Sequence, residues 1–226
     1  MTLILFDCDG TLVDSQNAIV SAMNSAFAAH GLKLPERHRV MGVVGLSLVS
    51  AIGRLLPGTD RDMLETLAES YKTSFQELRR QPEHHEPLFP LAQETVELLA
   101  GMPGVQLGIA TGKSRRGVDA IIERLGWQGV FATIQTADDN PSKPHPGMIV
   151  RAISEVGADA ARTVMVGDTT FDIDMARAAR IHAIGVSWGY HDVASLRRSG
   201  AHVMIESFSE LPPAIDALLM QTGPVP

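Results

Sequence analysis

Short buried strands that alternate with amphipathic helices constrain the fold of this chain more than any other feature. From about residue 92 onward, runs of β-branched and apolar residues are separated by segments whose apolar residues recur with a period near 3.6. The expected strands span 3–6, 105–110, 130–136, 163–166, 183–187 and 203–205. Such alternation is typical of βαβ units, so we expect an α/β fold, a doubly wound parallel sheet with helices on both faces.

The segment 15–81 departs from this alternation, because only helical patterns follow the first strand until about residue 105. These patterns cover residues 18–27, 48–56 and 63–78. We therefore expect a helical cap domain of residues 15–81, inserted into an α/β core formed by residues 1–14 and 82–226. The polar run 79–87 contains two prolines and is the expected linker back to the core.

Charge and hydropathy exclude several classes of partner. The net charge is −7, and the sequence has no dense Lys/Arg stripe of the kind that binds nucleic acid or anionic membranes. No apolar stretch is long enough to span a bilayer, and the apolar start at 3–6 is too short for a signal peptide. Cys8 is the single cysteine, so no internal disulfide can form. We expect a cytoplasmic protein with a small substrate, and the sequence leaves its oligomeric state open.

Polar and acidic residues follow the expected strands where each strand ends. Ligands of open parallel sheets bind outside the carboxyl ends of the strands, so these residues are expected to share one crevice. They are Asp7 and Asp9 after the first strand, Thr111 and Gly112 after the second, Lys143 after the third, and Asp168 and Asp172 after the fourth.

This set of residues has the chemistry of a magnesium and phosphate site. Carboxylates that converge on one crevice repel each other unless a cation lies among them, and ligand sets made only of oxygen favour Mg²⁺. A magnesium ion held by two carboxylates usually shares its site with a phosphate. Lys143, the Thr111 hydroxyl and the amide groups after Gly112 would contact that phosphate.

These residues closely resemble the four motifs of the haloacid dehalogenase superfamily, in its phosphatase branch. The run Asp7-Cys8-Asp9-Gly10-Thr11 and the four residues after it match the first motif in full, and Thr111 matches the second. Lys143 matches the third motif, and the run 167–172 matches the fourth. The helical insertion resembles the cap of the phosphoglycolate phosphatase-like subgroup.

The resemblance implies a two-step, magnesium-dependent phosphatase mechanism. Asp7 would be the nucleophile that forms an aspartyl phosphate, and Asp9 the general acid and then the general base. Mg²⁺ would be bound by the Asp7 carboxylate, the backbone carbonyl of Asp9 and Asp168, with Asp172 interacting indirectly or through water. Asp9 separates this chain from the dehalogenases of the superfamily, which lack an acid at that position.

Other interpretations stay open at the level of function. A sugar phosphomutase of the same superfamily would return the phosphoryl group to the sugar instead of to water. A receiver-like signalling module also carries a phosphorylated aspartate on an open parallel sheet, but it is about half this length and has no helical insertion. A catalytically inactive scaffold is a third alternative, although no motif residue is missing.

Several single residues have a structural interpretation beside the functional one. Asp172 could cap the helix that follows it. Cys8 is expected to be a packed, unreactive thiol, since alternation along a strand turns its side chain away from Asp7 and Asp9. His145 is expected to be a surface residue, His84 and His85 to belong to the linker, and Asp138 and Asp139 to form a charged turn.

The cap is expected to select the leaving group by closing over the crevice. The glycine-rich segment 42–47 and the cations Arg39 and Arg54 are candidates for this role. If the substrate carries a carboxylate, as phosphoglycolate does, one of these arginines or Lys113 is expected to contact it.

Overall fold

Strands rich in buried apolar residues form one parallel sheet. The computed structural model describes residues 1–79 and 86–220. Its strands are β1 (Thr2–Phe6), β2 (Val105–Thr111), β3 (Phe131–Thr136), β4 (Thr163–Gly167), β5 (His182–Val186) and β6 (Val203–Ile205). They lie in the order β3-β2-β1-β4-β5-β6, and every neighbouring pair is parallel. The predicted doubly wound sheet is confirmed, with strand ends shifted by one residue from those expected.

Helices follow the strands, as the alternation predicts. The described helices are α1 (Gln16–Ala29), α2 (Arg37–Met41), α3 (Leu48–Leu55), α4 (Arg61–Leu78), α5 (Ala92–Ala100), α6 (Arg115–Leu125), α7 (Gly147–Val156), α8 (Thr170–Ala178), α9 (Val193–Ser199) and α10 (Leu211–Leu219). None of these helices is both long and apolar enough to cross a membrane.

The period of two along β1 decides which helices cover each face of the sheet. Ile4 and Phe6 point into a core shared with α5, α6 and α10. Leu3 and Leu5 point to the opposite face and pack with α7, α8 and α9. Because β1 is covered on both faces, its residues 3–6 are all apolar up to Asp7, where the chain leaves the core.

The inserted segment carries four helices, α1 to α4, and a hydrophobic core of its own. Met23, Phe27, Ile52 and Leu67 are buried there. Helices α1, α3 and α4 correspond to the three expected patterns. The short helix α2 was not predicted, because its five residues bury only Val40 and therefore show no apolar stripe.

The cap touches the core directly. Phe171, at the start of α8, packs into the hydrophobic core of the cap, and the Ser47 amide donates to the Ser142 hydroxyl at 2.8 Å. The division into a cap of residues 15–81 and a core of 1–14 and 82–226 stays our proposal. Its second boundary lies outside the described residues.

Candidate active site

The buried acids meet where the strand order reverses. β1 and β4 are neighbours in the sheet. The strands that follow β1 in sequence, β2 and β3, lie on one side of this pair, and the strands that follow β4, β5 and β6, lie on the other side. A crevice therefore opens at the carboxyl ends of β1 and β4. Asp7 directly follows β1, Asp168 directly follows β4, and Asp172 lies in the first turn of α8. One carboxylate oxygen from each of the three lies within 4.8 Å of the others. Three of the four expected metal-site acids therefore converge.

Lys143 is buried among these carboxylates. Its Nζ atom lies 3.0 Å from Oδ1 of Asp7 and 2.5 Å from Oδ1 of Asp172. Burial opposes the charge on Lys143, but the two carboxylates outweigh it and raise the lysine pKa. The lysine is thus held in its charged form at the place where a phosphoryl group would meet Asp7.

One lysine does not balance three carboxylates. Burial raises the pKa of Asp7 to about 7, while the Lys143 charge opposes this rise and Asp172 adds to it. Burial, followed by repulsion from Asp172 and Asp7, raises the pKa of Asp168 well above its usual value. Two negative charges stay uncompensated when all three acids are ionised, so the cluster favours an additional divalent cation.

The donor atoms fit magnesium. Oδ2 of Asp7 is buried and has no hydrogen-bond partner among the described residues. A buried carboxylate oxygen is rarely left without a partner, which points to a ligand. The three side chains offer only oxygen, the donor that Mg²⁺ prefers.

Asp168 is fixed in place by neighbours from two segments. Its Oδ1 accepts from the Thr11 hydroxyl at 2.8 Å, and its Oδ2 accepts from the Tyr190 amide at 2.9 Å. Gly10 has φ +87°, and a Cβ there would lie within van der Waals overlap of the Asp168 carboxylate. A glycine is therefore required at position 10 both for its conformation and for its closeness to Asp168.

Asp172 is the third residue of α8, and the helix is capped by Thr169 instead of by Asp172 as expected. The Asp172 amide donates to the Thr169 hydroxyl at 3.3 Å and the Thr169 amide donates to Oδ2 of Asp172 at 3.0 Å, which forms a capping box. Its Oδ1 pairs with Lys143. Both oxygens already have partners, which agrees with an indirect or water-mediated relation to a cation.

The Asp9 side chain does not join the acid cluster. Its Oδ1 accepts from the Ser15 hydroxyl and from Nζ of Lys113, both at 2.7 Å. Burial acts to raise the pKa of Asp9, but Lys113 and then Ser15 outweigh it, so the pKa is lowered. Because its side chain contacts Ser15 and Lys113 instead of the other acids, Asp9 would bind a cation through its backbone carbonyl.

A second charged cluster, the Lys113 network, surrounds Asp9. Lys113 also contacts Oε1 of Glu86 at 2.9 Å, and Glu86 pairs with Arg79 at 2.5 Å. Arg124 donates to the Glu86 backbone carbonyl at 2.8 Å. Glu86 and Arg79 could not be predicted from sequence, because their contacts join the ends of the linker to residues far along the chain.

Two of the three expected phosphate-binding residues, Thr111 and Gly112, line a cavity between cap and core, and Lys143 does not line it. Thr111 ends β2 and is buried, and its hydroxyl accepts a hydrogen bond from the Lys113 amide at 3.2 Å. A Cβ at Gly112 would lie 2.5 Å from the carbonyl oxygen of Leu46, so the cap approaches the core very closely there. The cavity holds about 360 Å³ and is also lined by Asp7 and Asp9.

Two of the expected substrate contacts are wrong. Arg39 donates to the Leu55 carbonyl at 3.1 Å, and Arg54 lies over the Phe171 ring, 4.8 Å from its centroid. Arg39 is thus held within the cap and Arg54 against a residue of the core, and neither lines the cavity. The segment 43–47 does line it, as expected, whereas Lys113 contacts Asp9 and Glu86.

The remaining single residues are placed as follows. Cys8 is packed in the core, where burial and the neighbouring acids raise its pKa. Nδ1 of His145 accepts from the Gly147 amide in a local turn. Asp138 accepts from the Arg115 amide at the start of α6. His84 and His85 lie outside the described residues.

Comparisons with known proteins find relatives over nearly the whole chain. Residues 4–186 match the family described as haloacid dehalogenase-like hydrolase. The chain is 38% identical to the probable phosphatase IndB of Dickeya dadantii, covering 99% of this chain and 97% of that protein. It is 31% identical to a phosphoglycolate phosphatase of Agrobacterium fabrum, over 98% and 95% of the two chains. The crystal structure of a hydrolase from Pseudomonas syringae superposes with a TM-score of 0.84 at 26% identity, over 96% and 99%.

The chain therefore belongs to the haloacid dehalogenase-like hydrolase family. Within that family it is an enzyme of the phosphatase branch, in which its curated relatives are placed.

Proposed function

We propose that this enzyme hydrolyses the phosphate monoester of a small metabolite, with Mg²⁺ as cofactor and an aspartyl phosphate on Asp7 as intermediate. The general type is that of the phosphoglycolate phosphatase-like enzymes. One observation supports this proposal most directly. Asp7 is buried beside the fixed charge of Lys143, and its Oδ2 has no partner among the described residues.

In the first step, a carboxylate oxygen of Asp7 attacks phosphorus, and the bond from phosphorus to the leaving oxygen breaks. Lys143 and the Thr111 hydroxyl hold the phosphoryl oxygens in line with this attack. Asp9 gives its proton to the leaving oxygen. The product alcohol is then free, and the phosphoryl group is bound to Asp7.

In the second step, water attacks phosphorus and the bond to Asp7 breaks. Asp9 takes the proton of the attacking water, the reverse of its first role. Lys113 and Ser15 hold Asp9 in its ionised form, which suits this second step. The first step needs the acid form, and repulsion from an approaching phosphate dianion would raise the pKa of Asp9 toward it.

Asp7, Asp168 and the Asp9 backbone carbonyl would hold the magnesium ion. When bound, it supplies positive charge that offsets the repulsion between the carboxylate cluster and the phosphate. Asp172, which belongs to the capping box of α8 and pairs with Lys143, would orient Lys143 beside the magnesium ion.

A sugar phosphomutase of the same superfamily stays the alternative within this fold. Product analysis separates the two activities, since inorganic phosphate accumulates only with a hydrolase. The phosphatase relatives argue against a receiver-like signalling module. A short-lived aspartyl phosphate would fit an enzyme, and one lasting many minutes would fit a switch. A cytoplasmic location stays a prediction from the sequence.

Replacing the nucleophile tests the proposal. In Asp7→Asn, the amide cannot form the aspartyl phosphate, so we expect kcat for a panel of phosphate monoesters to fall at least about 10³-fold. Wild-type turnover should also be lost in EDTA and return with Mg²⁺. Turnover by Asp7→Asn near the wild-type rate would assign the nucleophile to another residue, and a wild-type enzyme inactive on every ester would contradict the proposed activity.

A further inference from the structure

The two ends of the cavity between cap and core differ in polarity. Asp7, Asp9 and Thr111 mark the end where the phosphoryl group would react. The whole space is about 360 Å³. This falls at the small end of the ~300–1,000 Å³ that is typical of small-molecule sites. Beside the phosphoryl group, the cavity can therefore hold a leaving group about the size of one ring.

Apolar side chains form much of the cap side of the cavity, beside the polar residues Ser47, Tyr71, Lys72, Gln76 and Arg79. The apolar lining residues are Ile19 and Met23 of α1, Val44 of the loop between α2 and α3, Val49 of α3 and Phe75 of α4. These residues come from three helices and a loop, so the apolar surface covers the leaving-group side from several directions. A leaving group placed there would be removed from water, which favours apolar atoms.

Two of the cations that line the cavity, Lys113 and Arg79, already have partners. Lys113 and Arg79 are matched in charge by Asp9 and Glu86 in the Lys113 network, so the network is neutral. Phe75 covers both cations, with its ring centroid 5.0 Å from Nζ of Lys113 and 5.2 Å from Cζ of Arg79.

The other lining charges lie nearer to solvent. Lys72 pairs with Glu69 at 2.6 Å, and Arg116 and Asp138 are exposed and opposite in charge. A carboxylate on the leaving group would lose its hydration in the apolar part of the cavity without gaining a cation held ready for it.

From this arrangement we infer the substrate class, an inference that rests on the proposed phosphatase activity. The substrate is the phosphate monoester of an uncharged, mainly apolar, ring-sized alcohol or phenol, in which the phosphoryl group is the only charge. Phosphoglycolate, whose leaving group carries a carboxylate, is expected to be a poor substrate. This holds although one relative is a phosphoglycolate phosphatase.

The test compares two esters that share one ring. Phenyl phosphate has about the size of the cavity, and 4-carboxyphenyl phosphate adds only a charge at the far end of the ring. We expect kcat/KM of the wild type to be about tenfold or more higher for phenyl phosphate, and likewise higher than for phosphoglycolate. Equal values for the two aryl esters, or a preference for either carboxylate, would overturn the substrate class and leave the phosphatase activity standing.

A binding experiment keeps the two proposals apart. The affinity of Asp7→Asn for the same two aryl esters, measured by calorimetry with Mg²⁺ present, requires no turnover. Tighter binding of phenyl phosphate without turnover by the wild type would contradict the proposed activity alone. Equal binding would contradict the inferred class.

A cation placed in the apolar wall should invert the preference. Val49 lines the cavity and is half-buried, so Val49→Arg offers its charge to the ring carboxylate. We expect the ratio of kcat/KM to shift about tenfold or more toward 4-carboxyphenyl phosphate. Val150→Arg is the matched control, because Val150 is 56% exposed on α7 and does not line the cavity. The same shift in both variants would show that the apolar lining of the cavity does not set the preference for phenyl phosphate.

Discussion

Asp7, Asp168 and Asp172 share a single buried cation, Lys143, and this imbalance has a measurable effect on stability. The folded-state pKa of Asp7 is raised from 3.8 to about 7, chiefly by burial. Between these values the folded chain binds more protons at this site than the unfolded chain does. The contribution of Asp7 to metal-free stability therefore falls as the pH rises from about 4 to about 7.

Asp7→Asn removes this loss of stability. In EDTA, we expect the free energy of unfolding of the variant to increase relative to that of the wild type. The increase should be roughly 1 kcal/mol for each pH unit across that window, or about 2–4 °C in Tm. Thermal unfolding of both proteins at several pH values measures the difference. Added Mg²⁺ should narrow the gap at neutral pH by stabilising the wild type. A gap that does not depend on pH would show that Asp7 titrates normally.

The Lys113 network makes a second prediction at this scale. Glu86 is buried and forms ion pairs with both Lys113 and Arg79. In Glu86→Gln these cations keep only Asp9, so we expect a loss of about 3–5 kcal/mol in the free energy of unfolding. Glu65→Gln removes an exposed partner of Arg61 and should change stability by less than about 0.5 kcal/mol. Equal losses in denaturant unfolding of the two variants would mean that the network adds no stability.

The start of helix α8 links folding to the site. Thr169 caps the helix and also donates to Asp172, whose other oxygen holds Lys143. Thr169→Ala should cost about 1 kcal/mol, or about 2–4 °C in Tm, and should also lower kcat because Lys143 loses its orientation. Asp60→Ala removes an exposed cap from α4 and should lower only Tm. Unchanged kcat in Thr169→Ala would separate the cap from the site.

The elements differ in how far their sequence reveals them. The strands and the long helices carry their own periodicity, so β1, β4 and α4 were predicted closely. Asp7 and Asp168 could be placed in one crevice because parallel strands end at one edge of the sheet. Helix α2 and the pairing of Asp9 with Lys113 were not predicted. They depend on tertiary packing, which brings together residues 104 positions apart.

At the scale of the whole molecule, the close approach of cap and core encloses the cavity. Gly112 of the core faces the backbone of Gly45 and Leu46, and a Cβ there would lie 2.6 and 2.5 Å from their carbonyl oxygens. Backbone atoms on a packed loop cannot turn aside as a long side chain can. Gly112→Ala should therefore push the cap away from the core while leaving the separate hydrophobic cores of each intact.

Two measurements follow this displacement. The Ser47 amide donates to the Ser142 hydroxyl across the same contact, so its hydrogen exchange should become faster in Gly112→Ala. The value of kcat/KM should fall by up to about 10²-fold, because the leaving group is no longer enclosed against Asp9. Gly101→Ala is the control, since a Cβ there meets ordinary contacts at 3.5 Å and beyond. Slow exchange at Ser47 together with lost activity would place the effect of Gly112 in phosphate binding instead of cap position.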